Sequence, residues 1–585
     1  MRRILFLFLV AISGFSCAHY NYFGEVPEKP GQYPQFTAKD SLVGKLDADR
    51  AGYDVTFYDL DLTLDPEKKS IGGTVIIKFK AVLPLKRLRF DLYKNLKIEK
   101  VLLENIELPF ERNNRAVYVS LSENLIPGNS YSMKVVYGGR PREARKPPWK
   151  GGMVWKKDKN KYPWIGVACE SEGSSIWFPC KDHLSDEPDS MRIKMSVPEG
   201  MQVVSNGLMK DHRVAEGREV FTWETRYPIN VYNITFYAGK FSNFSDTVRT
   251  KAGTIKIDYY VLPQNLDTAK KHFIQTKDIL RLYSELFGPY PWIGEDFKLV
   301  EAPFEGMENQ TAIAYGSGFY NYKRLGGDYI IVHETAHEWW GNAVSVSDFG
   351  DIWLQEGFAT YSEFLFAEHK LGYDSALYYL KYYQGVDINN RFPVVGPENV
   401  HYWNNNDNDV YNKGSLILHT IRNVINNDSI FFDILQTYYK EHAKGSHPAT
   451  ADFIKVVERK TGKSWGPFFD LYLNHREIPK LEFYYGIFTS DSTRKGNLFY
   501  NVPFVIVKWD RVPENFTMPV DLFCTETKAI HRVNVTTEPK IFFLQSFDPK
   551  CHLRCNHKLS YFDDIQTEAV MKEFEENLSR ITPDK

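Results

Sequence analysis

Ile330-Ile331-Val332-His333-Glu334-Thr335-Ala336-His337-Glu338-Trp339-Trp340, followed by Asp351-Ile352-Trp353-Leu354-Gln355-Glu356-Gly357-Phe358-Ala359-Thr360-Tyr361, decides how this chain folds. The first run has helical composition. Two histidines four positions apart stand one turn above each other on a helix, so both imidazoles reach one metal ion, and Glu334 beside the first reaches a water held there. HExxH alone also occurs on solvated helix faces, and a third ligand separates the two readings. Glu356 lies nineteen positions beyond His337. A carboxylate delivered from the next helix completes a set of two histidines and one glutamate with one position left open, as hydrolytic zinc sites require. One Zn²⁺ per chain is therefore expected on His333, His337 and Glu356. Glu363, seven residues further on, shares the face of Glu356. It reads either as a hydrogen-bond partner of a ligating histidine or as a surface carboxylate.

Working outward, helical spacing surrounds the two runs. Residues 328–345, 352–370, 374–386, 413–426, 428–442 and 450–462 favour helix, and DTAKKHFIQTKDILRLYSELFG adds an upstream helix stopped by Gly288-Pro289. Beyond them the period changes to two. YDVTFYDLDLTLD from Tyr53, GGTVIIKFKAV, AVYVSLS and VYNITFYAGKF are half-buried strands with no longer self-similar period. From Leu481, LEFYYGIF, MPVDLFC and KIFFLQSF alternate again with sandwich spacing, before a closing helix, TEAVMKEFEENLSRI. At 585 residues the chain exceeds what one core fills. The expected architecture is multidomain α+β. An N-terminal all-β domain spans 40–245, a mainly α-helical catalytic domain 246–478, a C-terminal β-sandwich 479–562, and a helix with its tail 563–585.

Hydrophobic residues at 43% and charged residues at 25% exclude a disordered chain. With 72 Lys+Arg against 74 Asp+Glu there is no global field to attract nucleic acid or an anionic membrane, so partners must be read from local sites. Aromatic residues at 15% fit strand-rich cores. Tyr162, Trp164 and Trp177 read as cleft lining or as buried packing.

The first residues, MRRILFLFLVAISGFSCAHY, set Arg2 and Arg3 before an apolar run ending at small residues, the layout of an export signal (1–17) ahead of a polar tether (18–39). Two readings of its end stay open: a loose lipobox placing a lipid anchor on Cys17, or cleavage after Ala18. Either way an exported chain without a spanning helix in its mature part is expected, as a periplasmic or surface lipoprotein or a secreted protein. Without Cys17 five cysteines remain, Cys169, Cys180, Cys524, Cys551 and Cys555, an odd number that leaves at least one free. CHLRCNH, Cys551 to His557, matches no structural zinc spacing well and is read as structural. WNNNDNDVYN, Trp403 to Asn412, lacks the closing glutamate of a calcium loop.

Six ordered stretches carry a resemblance. HETAHEWWGN followed by LQEGFATY, together with early strands around YDVTFYDLDL, WFPCKDHLSDEP at Trp177–Pro188, GPYPW at Gly288–Trp292, Glu305-Gly306-Met307-Glu308-Asn309 and Tyr411-Asn412-Lys413-Gly414, resemble the gluzincin aminopeptidases related to aminopeptidase N and leukotriene hydrolase. The resemblance implies a thermolysin-like catalytic domain and hydrolysis of N-terminal residues from peptides, the zinc-held water being activated by Glu334. It further implies that Glu308 anchors the substrate amine and that the main chain of Gly306 and Met307 aligns the substrate. Tyr411 is implied as donor to the oxyanion. A second amine anchor falls on Glu170, with Glu172 the alternative if the register shifts. Where the family signature has a small residue, this chain has Glu305. The competing functions are a zinc endopeptidase, an epoxide hydrolase, and a surface binding protein with a degenerate site. The β-like segment after Leu481 argues against the helical C-terminal domain of the leukotriene-processing relatives. With about a hundred residues after the catalytic region, the helical fourth domain of some members is expected to be missing and the cleft to be open.

Overall fold

The computed structural model describes residues 35–581 except 171, 387, 402–407 and 490–500. The leader, Cys17 and most of the tether lie outside the described residues, as does most of the Asn/Asp-rich run before Tyr411. Among the described residues no helix is long and apolar enough to cross a membrane.

The N-terminal region is built on an eight-stranded sheet in which Tyr53–Asp65 pairs antiparallel with Ser70–Ala81 and parallel with Ser190–Pro198. Alternation decides its faces. Tyr58, Leu60, Leu62 and Leu64 are buried, while the intervening Asp59 and Asp61 pair outward with Arg192 and Lys194. A second sheet of four strands contains Pro163–Ala168, which ends two residues before Glu170 and so aims that carboxylate at the neighbouring domain. Trp177 is fully buried, Trp164 donates its indole N–H to the Glu301 carbonyl at 2.9 Å, and Tyr162 lies exposed under Lys240. Packing therefore accounts for Trp164 and Trp177.

The catalytic region begins with a five-stranded mixed sheet in the order Ser242–Thr250, Gly253–Val261, Phe297–Glu301, Ile313–Tyr315, Gly306–Met307. Gly306–Met307 is its edge strand. Next comes the motif helix Tyr329–Ala336, whose first turn is capped by Asp328 accepting from the N–H of Ile330 at 2.9 Å. The sequence predicts helix from 328 to 345, but it ends at Ala336, with His337 as its C-cap. Beyond it the N–H groups of Asn342 and Val344 reach back five residues to His337 and Trp339, and Gly341 adopts φ +123°, a left-handed conformation that favours glycine. The wider turn lets Trp339 and Trp340 bury completely on either side of the motif.

Helices Trp353–Leu371, Tyr373–Tyr379, Asn412–Ile425, Asp428–His442 and Thr450–Thr461 complete the region, with Leu380–Gln384 forming a widened turn. The first and third cross where Gly357 meets Gly414. A Cβ on Gly357 would lie 3.0 Å from the Gly414 Cα, so two glycines allow the backbones to touch.

The C-terminal region has a four-stranded sheet, including Lys480–Thr489 and Asn501–Asp510, and a three-stranded sheet around Met518–Cys524. Cys524 and Cys551 are disulfide-bonded, and the His557 ring stacks on Phe523 at 4.5 Å, giving CHLRCNH a structural role. Cys169, Cys180 and Cys555 are free and buried. Helix Glu568–Ile581 docks through fully buried Val570.

Candidate active site

The motif helix presents His333 and His337 on one side, and helix Trp353–Leu371 brings Glu356 against them. The His333 and His337 Nε2 atoms lie 3.2 Å apart, and Glu356 Oε2 is 3.5 Å and 3.4 Å from them respectively. His333 Nδ1 is 2.7 Å from Glu363 Oε1, and His337 Nδ1 is 2.8 Å from the Trp340 carbonyl. Each Nδ1–H is therefore donated outward, and both Nε2 lone pairs converge on one point. Lone pairs facing each other repel unless an electrophile lies between them. Glu356 Oε2 is buried without a hydrogen-bond partner. All three edges approximate the ~3.3 Å that a tetrahedral ion with bonds of ~2.0–2.1 Å imposes on its ligand atoms. The donor set fits zinc.

Glu363 is buried, and its second oxygen accepts from Tyr379 Oη at 2.6 Å and from Gln384 Nε2 at 3.2 Å. A surface role is excluded, and the His333 ring orientation is fixed through this carboxylate. The motif's other glutamate, Glu338, faces away from the metal cluster. Its Oε1 accepts from the Thr311 N–H at 2.9 Å, and burial pushes its carboxyl up to about 8.

Three carboxylates line the open side. Burial pushes Glu334 up to about 8, with Glu308 and Glu356 acting in the same direction and the two histidines opposing. Burial, reinforced by Glu308, Glu356 and Glu334, holds Glu170 well above the usual carboxylate range. Glu308 is raised by the same burial, with the Tyr232 phenol and His337 opposing. Among the described residues neither Glu170 nor Glu308 has a Lys or Arg partner. Glu172 does: its carboxylate pairs with Arg142 and accepts from Tyr93 Oη at 2.7 Å. The structure thus brings Glu170 to the cluster and leaves Glu172 in a structural pair.

The Glu308 backbone is held from both domains. Asn342 Nδ2 donates to the Glu308 carbonyl at 2.8 Å, and Asn233 Nδ2 of the N-terminal region supports Asn342 at 2.7 Å. Asn206 Nδ2 donates to the Gln310 carbonyl at 2.6 Å, and Asn309 Nδ2 donates to Tyr237 Oη at 2.9 Å. Gly306 packs so tightly on the Glu334 carboxylate and Ile330 that a Cβ there would collide with both. Met307 is buried beside it. Tyr411 precedes helix Asn412–Ile425, and its ring lies 6.3 Å from the His333 ring at 28°. The Gly357–Gly414 crossing puts it there. Sequence reasoning missed Tyr232, Tyr379, Asn342 and the asparagines of the N-terminal region, which carry no short motif and act only through long-range packing.

This donor set on a short helix, the edge strand beside it and the β-rich region in front define a zinc metallopeptidase of the HExxH type. The chain belongs to peptidase family M1: its residues 272–472 match the family domain and residues 55–232 match the family's N-terminal domain, together more than half of the chain. Endoplasmic reticulum aminopeptidase 1 of Homo sapiens is 26% identical over 342 residues, covering 55% of this chain and 35% of that protein. Aminopeptidase N of Lactococcus lactis subsp. lactis is 23% identical over 463 residues, covering 72% and 51%. The chain thus spans about a third to a half of the length of these relatives. Among solved structures, an M1 zinc metallopeptidase from Deinococcus radiodurans shares the fold, with a TM-score of 0.62 at 23% identity over 74% of this chain and 96% of that one. A mutant of that enzyme bound to a Tyr-Ser-Ala substrate gives 0.61 at 24% identity, covering 73% and 95%.

Proposed function

We propose that the protein is a zinc-dependent aminopeptidase that removes single N-terminal residues from peptides. The observation carrying this reading is the pair of carboxylates, Glu308 buried and Glu170 half-buried, beside the two histidines and Glu356, with no basic side chain among the described residues to neutralise them. A protonated α-amine is the group such a pair stabilises, and only a chain end supplies one. An endopeptidase has no use for it.

When bound, zinc supplies a Lewis acid that polarises the scissile carbonyl and acidifies the attacking water. Glu334 accepts the proton of that water and returns it to the leaving amine. Glu308 and Glu170 hold the ammonium group, fixing the scissile bond one residue from the chain end. The edge strand Gly306–Met307 offers main-chain groups to an extended substrate. Tyr411 donates its phenolic proton in a hydrogen bond to the oxyanion.

Aminoacyl-arylamides assayed beside their N-acetylated forms test the reading, with and without chelator and with Glu308→Ala and Glu334→Gln variants. Chelator-sensitive release from free amines alone, weakened by Glu308→Ala and abolished by Glu334→Gln, is expected. Hydrolysis of the acetylated forms would overturn it. The Arg2-Arg3 leader further supports action outside the cytoplasm, with Cys17 as the lipid-bearing residue. Metabolic labelling with a fatty acid and loss of label in Cys17→Ala test that placement.

A further inference from the structure

From Phe297 to Tyr315 every residue is buried except one, Glu305. It stands at the start of the edge strand Gly306–Met307, which ends the five-stranded sheet and leaves one side free for an extended peptide. The local backbone is rigid. The Glu305 carbonyl accepts from the Gly316 N–H at 2.7 Å, and a Cβ on Gly316 would collide with the Phe304 carbonyl. The carboxylate itself belongs to the site's field: together with Glu363, Glu334 and Glu356, after burial, it raises the Tyr329 phenol, whose ring stacks on His333 at 5.5 Å.

Position along the strand gives this charge its meaning. Glu308 marks the amine end, Gly306 lies against Glu334, and Glu305 comes next in the same direction. At ~3.3 Å per residue, Glu305 is roughly 10 Å along the strand from Glu308. An extended substrate spans about 5 Å from its amino nitrogen to the Cα of its second residue, and a long side chain covers the rest.

We infer that Glu305 selects the residue on the leaving side of the scissile bond, favouring peptides whose second residue is Lys or Arg and disfavouring Asp or Glu there. The inference rests on the aminopeptidase reading, since the amine anchor sets the register. An exposed carboxylate distinguishes attraction from repulsion by about tenfold in this geometry.

The test measures kcat/KM for Leu-Lys-Ala, Leu-Gln-Ala and Leu-Glu-Ala with the zinc-loaded wild type, Glu305→Gln and Glu305→Gly. Zinc content and circular dichroism establish that each variant is folded. We expect the Lys-to-Glu ratio to be about tenfold in the wild type and to fall to within about twofold in both variants. Preference among Lys-, Gln- and Glu-arylamides, which reports the first residue, should not move. A ratio near one in the wild type, or one that persists in the variants, overturns the inference. So does a parallel collapse of first- and second-residue preferences, because Glu305 would then contribute only to the general negative field of the cleft. Failure of the wild type to cleave any free-amine substrate removes the aminopeptidase reading itself.

Discussion

Single side chains here divide between those that touch the reacting atoms and those that hold them. Glu363 is of the second kind, since its contact at 2.7 Å fixes which nitrogen of His333 carries the proton. Glu363→Ala is expected to weaken zinc binding about 10–100-fold, read by chelator competition, while leaving the fold intact. Tyr411→Phe is expected to lower kcat about 10²–10³-fold with little change in KM and none in zinc content, because in the proposed mechanism the lost bond forms only as the oxyanion develops. His333, His337 and Glu356 were legible because metal ligation on helices constrains spacing. Glu363 was legible only as an alternative: seven residues along a helix give the right face, but the sequence does not say whether solvent or a histidine covers it. Tyr232 was invisible, since a tyrosine in VYNITFY alternates like any strand residue.

At the scale of elements, the crossing of helices Trp353–Leu371 and Asn412–Ile425 is the most sensitive joint. Gly414→Ala places a methyl against the Gly357 backbone, forcing the helices apart and moving Tyr411 with them. A displacement near 1 Å at a catalytic group costs about 10²-fold, so turnover should fall at least tenfold while zinc remains bound. Unchanged kcat in a zinc-loaded Gly414→Ala variant would show that the joint tolerates the methyl. The helix pattern was read to within a residue or two in most places because apolar periodicity persists through packing. It failed after Ala336, where the composition stays helical but Gly341 and two buried tryptophans open the turn. Tertiary burial of Trp339 and Trp340 overrides local propensity there.

At the scale of the whole molecule, the joint between the N-terminal and catalytic regions contains Glu187, buried near Asn230 and Ser345. Burial pushes its carboxyl up to about 8 from an ordinary 4.5. The folded chain therefore holds a proton that the unfolded chain releases, and stability falls as pH rises from about 4.5 to about 8. Glu187→Gln removes this dependence. Its melting temperature relative to the wild type should rise by a few degrees between pH 5 and pH 8. A constant difference across that range would place the proton elsewhere. The three-region layout was legible because helical periodicity marks a middle region between two alternating ones, but its first boundary was not, since the strands Ser242–Thr250 and Gly253–Val261 that open the catalytic region alternate like those before them. The asparagine contacts between regions were not, since nothing local marks a side chain that satisfies a carbonyl a hundred residues away.

Those asparagines have a wider consequence. Asn206 and Asn233 steady the loop carrying Glu308 from one region, whereas the metal-binding side chains all come from another. On the proposed reading, the ruler that measures from the end of a peptide is thus shared: Glu170 and the asparagines that steady Glu308 come from the N-terminal region, while Glu308 and the blade that cuts come from the catalytic one. A catalytic region released from its partner would keep the blade and only half of that ruler, which makes the point of cleavage, on this reading, depend on how two regions are aligned.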